Sequence, residues 1–309
     1  MYIKIHSWVE HPMVYEQAHA KINLSLDITG KRDNGYHEVC MIMQTISICD
    51  DLSFEKGAPG TGVVLTSDSA LLQSEMAEGK DNLVLKAARL LFEHTGRTGD
   101  VKITLTKRIP IAAGLAGGSA DAAATLRGLN RLFEFGLSMD ELREISVKIG
   151  ADVPFCIEGG LCLCEGIGEI LTGLTPMASM PVVICKPDVY VSTPEVYRAY
   201  DEKPPSKHPD TASLLKAIET YDNAGAVALF ENILEPVTAG KHPVITEIEK
   251  KMLDYGAMGS IMSGSGPTVF GVFESDDGAS EAAKRLAGDY PCFFTGVGRF
   301  HNTKKPRFE

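Results

Sequence analysis

A glycine-rich segment over residues 110–124 has the residue types and spacing of a phosphate-binding turn. Gly114, Gly117 and Gly118 stand before Ser119, where a run of small residues predicts the start of a helix. Glycine permits positive φ angles and close approach of a ligand to the main chain. A helix start presents free N–H groups and the positive end of the helix dipole, and both favour anions. The segment therefore predicts a nucleotide-binding loop; from the residues alone, a tight strand-to-helix connection is the alternative.

Other nucleotide-binding patterns are absent from the sequence. The Walker A pattern requires Ser or Thr after Gly-Lys, and none of the pairs Gly30-Lys31, Gly79-Lys80 and Gly240-Lys241 meets this requirement. The G-x-G-x-x-G, H-R-D and D-F-G patterns are also missing, as are the H-E-x-x-H and EF-hand metal patterns. These absences exclude a P-loop enzyme and a protein kinase.

Three polar residues outside the glycine-rich segment stand at defined positions in predicted elements. Lys21 and Asn23 fall on the polar face of an alternating segment over 18–28, which predicts a half-buried strand. Asp152 follows a predicted helix end at Gly150. Spacing alone makes none of the three catalytic, and a solvated strand face and a turn aspartate remain the alternatives.

The elements that must position these residues follow from periodicity and turn signals. Alternation predicts a second strand from Tyr36 to about Ile48, joined to the first at Asn34-Gly35, and a further strand over 102–106. Helical spacing continues after the glycine-rich segment, and Ser138 with Glu141 predicts a capping box on the next helix. In the second half, we predict strands over 181–186, 260–262, 268–273 and 291–297 and helices over 211–219, 223–232, 243–254 and 279–288.

Strands and helices segregate in this prediction rather than alternating strictly, which indicates an α+β fold. The chain has 309 residues, enough for two domains of ordinary size. Glycine and proline residues between 165 and 180 indicate a boundary, so we predict an N-terminal domain over 1–170 and a C-terminal domain over 171–309.

Composition restricts the partners and the compartment. The formal net charge of -11 argues against broad binding to nucleic acid or to an anionic membrane. The seven cysteines are odd in number and include no C-x-x-C pair, which predicts buried free thiols rather than disulfides or a zinc site. No apolar run approaches a membrane span, and Met1 to Gln17 lacks the apolar core of a signal peptide. We expect a cytoplasmic protein.

The motifs together resemble those of the GHMP kinase family. The segment over 110–120 looks like the family's ATP-phosphate loop, and Ser263-Gly264-Ser265-Gly266-Pro267 resembles its third motif. Ala20–Leu24, Asn34–Glu38 and Gly150–Phe155 are similar to segments of the family branch that acts on an alcohol carrying a cytidine diphosphate group in isoprenoid biosynthesis. Order and spacing match over nearly the whole chain. The resemblance implies a two-domain GHMP kinase fold with the active site in the cleft between the domains.

The resemblance also implies a mechanism, in which ATP phosphorylates the 2-hydroxyl of the cytidine diphosphate substrate. Asp152 is similar to the family's catalytic base, and Lys21 resembles its cationic partner. Magnesium is expected with the ATP, with no dedicated protein metal site. The residues that resemble the substrate-binding set are Asn23, Tyr36, His37, Gly264 and Ser265. Those that resemble the nucleotide-binding set are Pro110, Ile111, Ala112, Ala113, Gly114, Leu115, Ala116, Gly117, Gly118, Ser119 and Ala120.

Three alternatives remain open within the family. A lyase relative that phosphorylates and then decarboxylates its substrate would need an arginine placed for a carboxylate, which the sequence does not locate. The remaining two differ in whether phosphate is transferred. One is another small-molecule kinase, of the homoserine or mevalonate type, against which Gly35-Tyr36-His37 argues. The other is a relative that binds nucleotide without transferring phosphate, against which the presence of both Lys21 and Asp152 argues. For partners we expect a small-molecule substrate, no nucleic acid and no membrane, and a chain that is a monomer or a weak dimer.

Overall fold

A long antiparallel hairpin begins the fold in the computed structural model, which describes residues 13–78 and 81–302. Strand β1 (Val14–Lys31) pairs with β2 (His37–Lys56), and the predicted turn joins them with Gly35 at φ +88°. The two predicted strands are confirmed, and both are longer than expected. The prediction about a signal peptide falls largely on residues 1–12, which lie outside the described residues.

Strand β1 is buried on both faces, so the prediction of a half-buried strand is wrong. Lys21 is 4% exposed and Asn23 is fully buried. The polar face is covered by two loops, since Lys21 Nζ lies 3.4 Å from the Gly114 carbonyl and Gly264 packs near Asn23. Register shifts after His19 and Asn23 also interrupt regular pairing with β2. Periodicity cannot reveal this burial because the covering loops are distant in sequence.

A seven-stranded sheet forms around the hairpin in the order β3-β4-β2-β1-β8, with β5 also paired to β2 and β6 to β5. Its other strands are β3 (Val63–Ser67), β4 (Val101–Thr106), β5 (Leu161–Glu165), β6 (Ile170–Gly173) and β8 (Glu231–Asn232). The helices of this part are α1 (Ala70–Ala77), α2 (Leu83–Thr95), α3 (Gly117–Leu132), α4 (Met139–Ser146) and α5 (Val153–Glu158). The predicted capping box of Ser138 and Glu141 is confirmed at the start of α4.

Helix α3 lies close against the sheet because its buried face consists largely of alanines and one glycine. A Cβ atom at Gly128 would collide with the Phe54 ring of β2. Ala120, Ala123 and Ala124 are buried on the same helix. Small side chains let a helix approach its neighbour closely, so the first turn of α3 is held firmly at the edge of the central cavity described below.

A second sheet follows in the chain, antiparallel and in the order β11-β7-β10-β9. Its strands are β7 (Pro181–Lys186), β9 (Gly259–Met262), β10 (Val269–Val272) and β11 (Phe294–Arg299). The helices of this part are α6 (Thr193–Glu202), α7 (Thr211–Glu219), α8 (Asn223–Ala228), α9 (Glu235–Lys241), α10 (Val244–Asp254) and α11 (Asp276–Asp289). The mixture of helices with two separate sheets confirms the α+β prediction. The division of the chain at residue 170 stays a prediction.

Two local predictions are wrong in this part of the chain. The helix predicted over 223–232 ends at Ala228, and Glu231–Asn232 instead extends the first sheet beside β1. None of the seven cysteines, all of them within the described residues, forms a disulfide, but Cys292 is exposed rather than buried. Within residues 13–78 and 81–302, no helix has both the length and the apolar character needed to cross a bilayer.

Candidate active site

A cavity of about 1010 Å³ is lined by residues of the first sheet, of helix α6 and of the loop over 263–267, so both parts of the chain contribute to its walls. Nearly all of the predicted site residues line it, including those of the hairpin, the glycine-rich loop and the loop over 263–267. Leu115 and Ala120 do not line it, and both are buried in the core beneath the loop. The fold thus gathers motifs that are far apart in sequence around one space.

The Lys21 ammonium and the Asp152 carboxylate face each other in this cavity. Lys21 Nζ lies 3.7 Å from Asp152 Oδ2, and the Asp152 side chain is 33% exposed. The ammonium donates to Asn23 Oδ1 at 2.7 Å and to the Gly114 carbonyl at 3.4 Å. Asp152 is the N-cap residue of α5 and directly precedes Val153. A buried cation beside an accessible carboxylate is an arrangement suited to deprotonating a bound hydroxyl group.

The glycine-rich loop ends in a helix start that has no side-chain cap. Ala112, Gly114 and Ala116 have positive φ angles of 52°, 75° and 56°. Ala116 is the N-cap of α3 and forms no side-chain capping hydrogen bond. Gly117, Gly118 and Ser119 follow it along the cavity wall. First-turn N–H groups without a cap are available to bind an anion, which is the chemistry predicted from the sequence.

The carbonyl of Gly114 connects three separate motifs. It accepts hydrogen bonds from Lys21 Nζ and, at 3.1 Å, from Ser263 Oγ. The loop that follows Ser263 is held in turn by Asn232, whose amide donates to the Gly264 carbonyl at 2.8 Å. A Cβ atom at Gly114 would collide with the Ser263 carbonyl oxygen, so only glycine allows the two loops to approach this closely.

A buried group of charges that no sequence motif indicated lies beside the phosphate loop. Lys107 Nζ forms ion pairs with Asp50 and with Asp121, the latter at 2.7 Å, and both Lys107 and Asp121 line the cavity. Burial raises the pKa of Asp121 to about 7; the ammonium of Lys107 opposes this and the carboxylate of Asp50 adds to it. Burial disfavours the Lys107 ammonium, but the two carboxylates outweigh burial and raise its pKa. Lys107 therefore keeps its charge near the start of α3.

The end of the cavity formed by the hairpin tip and helix α6 is aromatic. Tyr36 is 59% exposed at the tip of the hairpin, whereas the side chain of His37 is only 9% exposed. The His37 ring lies 4.8 Å from the Tyr197 ring, and Tyr197 and Asp201 bring helix α6 to the same wall. No motif pointed to Tyr197 or Asp201; their signal was only the i, i+4 spacing that puts both on one face of a helix.

Comparison with known proteins decides the family. A model of the GHMP kinases N terminal domain matches residues 82–160, and a model of the GHMP kinases C terminal region matches residues 212–292. A relative from Acetivibrio thermocellus named 4-diphosphocytidyl-2-C-methyl-D-erythritol kinase is 47% identical over 282 residues, covering 90% of this chain and 97% of the relative.

The chain belongs to the GHMP kinase family.

Other members of the GHMP kinase family agree with this assignment. A relative with the same name from Caldicellulosiruptor saccharolyticus is 46% identical, covering 87% of this chain and 91% of the relative. A crystal structure of 4-(cytidine 5'-diphospho)-2C-methyl-D-erythritol kinase matches with a TM-score of 0.77 and 32% identity, covering 92% of this chain and 98% of that one. Homoserine kinase from Cytophaga hutchinsonii, at 19% identity and a TM-score of 0.74, covers 98% of this chain and 97% of its own and shares the fold.

Two neighbouring glutamates of this GHMP kinase lie near the 263–267 loop, and one of them, Glu235, holds the strand that leads into it. Glu235 Oε2 accepts a hydrogen bond from the Met262 N–H at 2.8 Å. Burial and, after it, the neighbouring Glu235 together raise the pKa of Glu249 from 4.5 to about 9. The folded protein therefore binds a proton at Glu249 that the unfolded chain has already lost between these two pH values.

We expect the stability of the protein to fall as pH rises from about 4.5 towards 9, and the Glu249→Gln variant to lose less stability over that range. The glutamine amide cannot ionise, so it removes the proton linkage. Thermal unfolding temperatures measured across the range, with the exposed Glu247→Gln as a control, test this. Parallel curves for the wild type and Glu249→Gln would show that Glu249 ionises in the folded protein as it does in the unfolded chain.

Proposed function

We propose that this GHMP kinase transfers the γ-phosphoryl group of ATP to the 2-hydroxyl of 4-diphosphocytidyl-2-C-methyl-D-erythritol, a step of the non-mevalonate isoprenoid pathway. The observation that carries the proposal is the Lys21–Asp152 pair, which lies 3.7 Å apart in a cavity lined by the phosphate loop and by the aromatic residues of the hairpin and α6. The names of the relatives at 47% and 46% identity support the substrate.

Asp152 acts as the general base in this proposal. Its carboxylate accepts the proton of the substrate hydroxyl as the oxygen forms a bond to the γ-phosphorus and the bond from that phosphorus to the leaving oxygen of ADP breaks. The Lys21 ammonium lies 3.7 Å from that carboxylate and attracts it into a fixed orientation. It also offsets the negative charge of the phosphoryl group during transfer, and its bonds to Asn23 and Gly114 hold it in position for both tasks.

ATP binds along the wall that begins at the glycine-rich loop. The uncapped N–H groups after Ala116 hold its phosphates, and Lys107 supplies a positive charge beside them. Mg²⁺ enters with the nucleotide, because triphosphate oxygens are the ligands it prefers. Among residues 13–78 and 81–302, no group of three or more His, Cys, Asp or Glu side chains is placed to hold a metal ion. Asn82 and Leu83 line the cavity near the loop and are our candidates for contacts to the adenosine part.

The cytidine group of the substrate binds at the aromatic end. Tyr36 and Tyr197 both line the cavity there and offer rings on which a pyrimidine can stack. His37 lies against Tyr197 and supplies a polar edge for hydrogen bonds to the base. Gly264 and Ser265 line the cavity near Lys21, and Ser265 Oγ lies 2.7 Å from Thr193 Oγ1, linking this loop to α6. In this proposal, the substrate and the nucleotide reach the Lys21–Asp152 pair along different walls of the cavity.

A substrate panel tests the function directly. The purified protein, given MgATP, is expected to release ADP with 4-diphosphocytidyl-2-C-methyl-D-erythritol and not with homoserine or mevalonate. Phosphorylation of homoserine or mevalonate instead would assign a different reaction within the family. Nucleotide binding without turnover on any of these alcohols would identify a non-catalytic relative.

The compartment and the assembly state belong to the same proposal. We propose a cytoplasmic enzyme, supported by seven described cysteines that form no disulfide, which fits a reducing compartment. A monomer or weak dimer stays a prediction, as does the division into domains over 1–170 and 171–309.

A further inference from the structure

A chain of charged contacts in the cavity wall joins the hairpin to helix α6. His37 Nε2 lies 2.7 Å from Asp201 Oδ1, and Lys31 Nζ donates to Asp201 Oδ2 at 2.5 Å. Lys31 and His37 belong to the hairpin, whereas Asp201 stands near the end of α6, one turn after Tyr197. Hydrogen bonds from His37 and then from Lys31 lower the pKa of Asp201, so its carboxylate stays ionised.

The contact with Asp201 determines which nitrogen of His37 carries a hydrogen. An ionised carboxylate can only accept a hydrogen bond, so His37 Nε2 must be the donor. In the neutral ring, Nδ1 is then left with a lone pair and is an acceptor. An acceptor complements the 4-amino group of cytosine, which donates, and opposes the 4-oxo group of uracil, which also accepts.

We propose that Asp201 is a positioning residue that holds His37 in the tautomer that selects cytosine over uracil in the substrate. This inference rests on the proposed function, since it assumes that the base of the substrate binds beside His37. Asp201 acts through the ring and not by contact with the reacting atoms. Its other partner, Lys31, anchors the carboxylate from the far side and leaves the bond to His37 in place.

The groups that face His37 come from two elements. Helix α6 contributes Asp201, the Tyr197 ring at 4.8 Å and the Tyr200 ring at 6.3 Å. The hairpin contributes the charged group of Lys31, which binds Asp201 and not the His37 ring itself. Of these, Asp201 alone among the described contacts forms a hydrogen bond with the His37 ring. Replacing Asp201 therefore removes the acceptor that requires a hydrogen on Nε2, and it leaves the packing of the aromatic rings unchanged.

The test compares Asp201→Asn with two controls, using the cytidine and uridine diphosphate forms of the same alcohol. Asparagine keeps the shape of the side chain but can donate or accept, so it no longer imposes one tautomer. We expect the ratio of kcat/KM for cytidine over uridine to fall about tenfold, mainly through a higher KM for the cytidine form, with kcat nearly unchanged. Lys31→Met keeps the bond to His37 and should keep the ratio, and the exposed Glu202→Gln controls for net charge.

A second readout does not depend on activity. The nitrogen chemical shifts of His37 in the free enzyme should show a hydrogen on Nε2 in the wild type and a mixture of tautomers in Asp201→Asn. A hydrogen on Nδ1 in the wild type, or an unchanged cytidine-to-uridine ratio in an active Asp201→Asn enzyme, would overturn the inference and leave the proposed function intact. A wild type that phosphorylates neither substrate would overturn the proposed function and the inference with it.

Discussion

The Asp152→Asn variant is expected to bind ATP with nearly normal affinity and to lose phosphoryl transfer by about 10²- to 10⁴-fold in kcat. The amide has the size of the carboxylate but cannot take the proton of the substrate hydroxyl. It also removes the charge that faces Lys21 Nζ at 3.7 Å, so the two groups no longer stabilise each other. ADP release under saturating substrate measures kcat, and titration calorimetry with a non-hydrolysable ATP analogue measures nucleotide binding.

An exposed aspartate provides the matched control for Asp152. Asp254→Asn makes the same chemical change at the exposed end of α10, outside the residues that line the cavity, and should leave kcat unchanged. If Asp152→Asn turns over as fast as Asp254→Asn, the carboxylate is not the base. If Asp152→Asn loses ATP affinity to the same extent as turnover, Asp152 binds the nucleotide and does not act as the base.

The second large effect is expected from Gly114→Ala, which should lower both the unfolding temperature and kcat/KM. Its φ angle of 75° costs alanine about 1–2 kcal/mol. The new methyl group would also collide with the Ser263 carbonyl oxygen and lie 3.0 Å from the Gly266 carbonyl oxygen. The two loops must then separate, which moves the Gly114 carbonyl away from the Lys21 ammonium. Differential scanning calorimetry and steady-state kinetics measure the two effects.

Gly136→Ala separates the collision from the backbone strain. Gly136 has a φ angle of 74°, nearly that of Gly114, but a Cβ atom there would have no neighbour within 4 Å. We expect Gly136→Ala to be destabilised by the backbone strain alone and to keep normal kinetics. Equal losses of stability in the two variants, with normal kinetics in Gly114→Ala, would mean that the contact between the loops does not organise the site.

Signals carried by neighbouring residues predicted much of the fold. The hairpin turn at Gly35, the capping box at Ser138, the strand over 181–186 and the helix over 211–219 are as expected, because turn geometry and helix caps depend on a few adjacent residues. Helices α1, α2, α5, α6 and α9 and strands β3, β5, β6 and β8 were not predicted. These elements are short or packed against buried neighbours, and their local patterns are weak without knowledge of what covers them.

The family motifs identified the chemistry for a similar reason. The glycines at 114, 117 and 118 and the types of Lys21 and Asp152 are properties of single positions, so they can be read directly from the chain. Their resemblance to GHMP kinases agrees with the two family models and with relatives at 43–47% identity. What each of these residues does in the reaction is left to the experiments above.

The sequence by itself therefore determined the family, the α+β class and the chemical types of the groups at the site. Only the tertiary structure decided which charges meet: Lys107 with Asp50 and Asp121, and His37 with Asp201. These partners lie 14 to 164 positions apart, and they meet because sheet pairing and helix packing bring their strands and helices together. The same long-range packing buries Lys21 on a strand face that alternation alone predicts to be open to water, because burial depends on distant loops rather than on neighbouring residues.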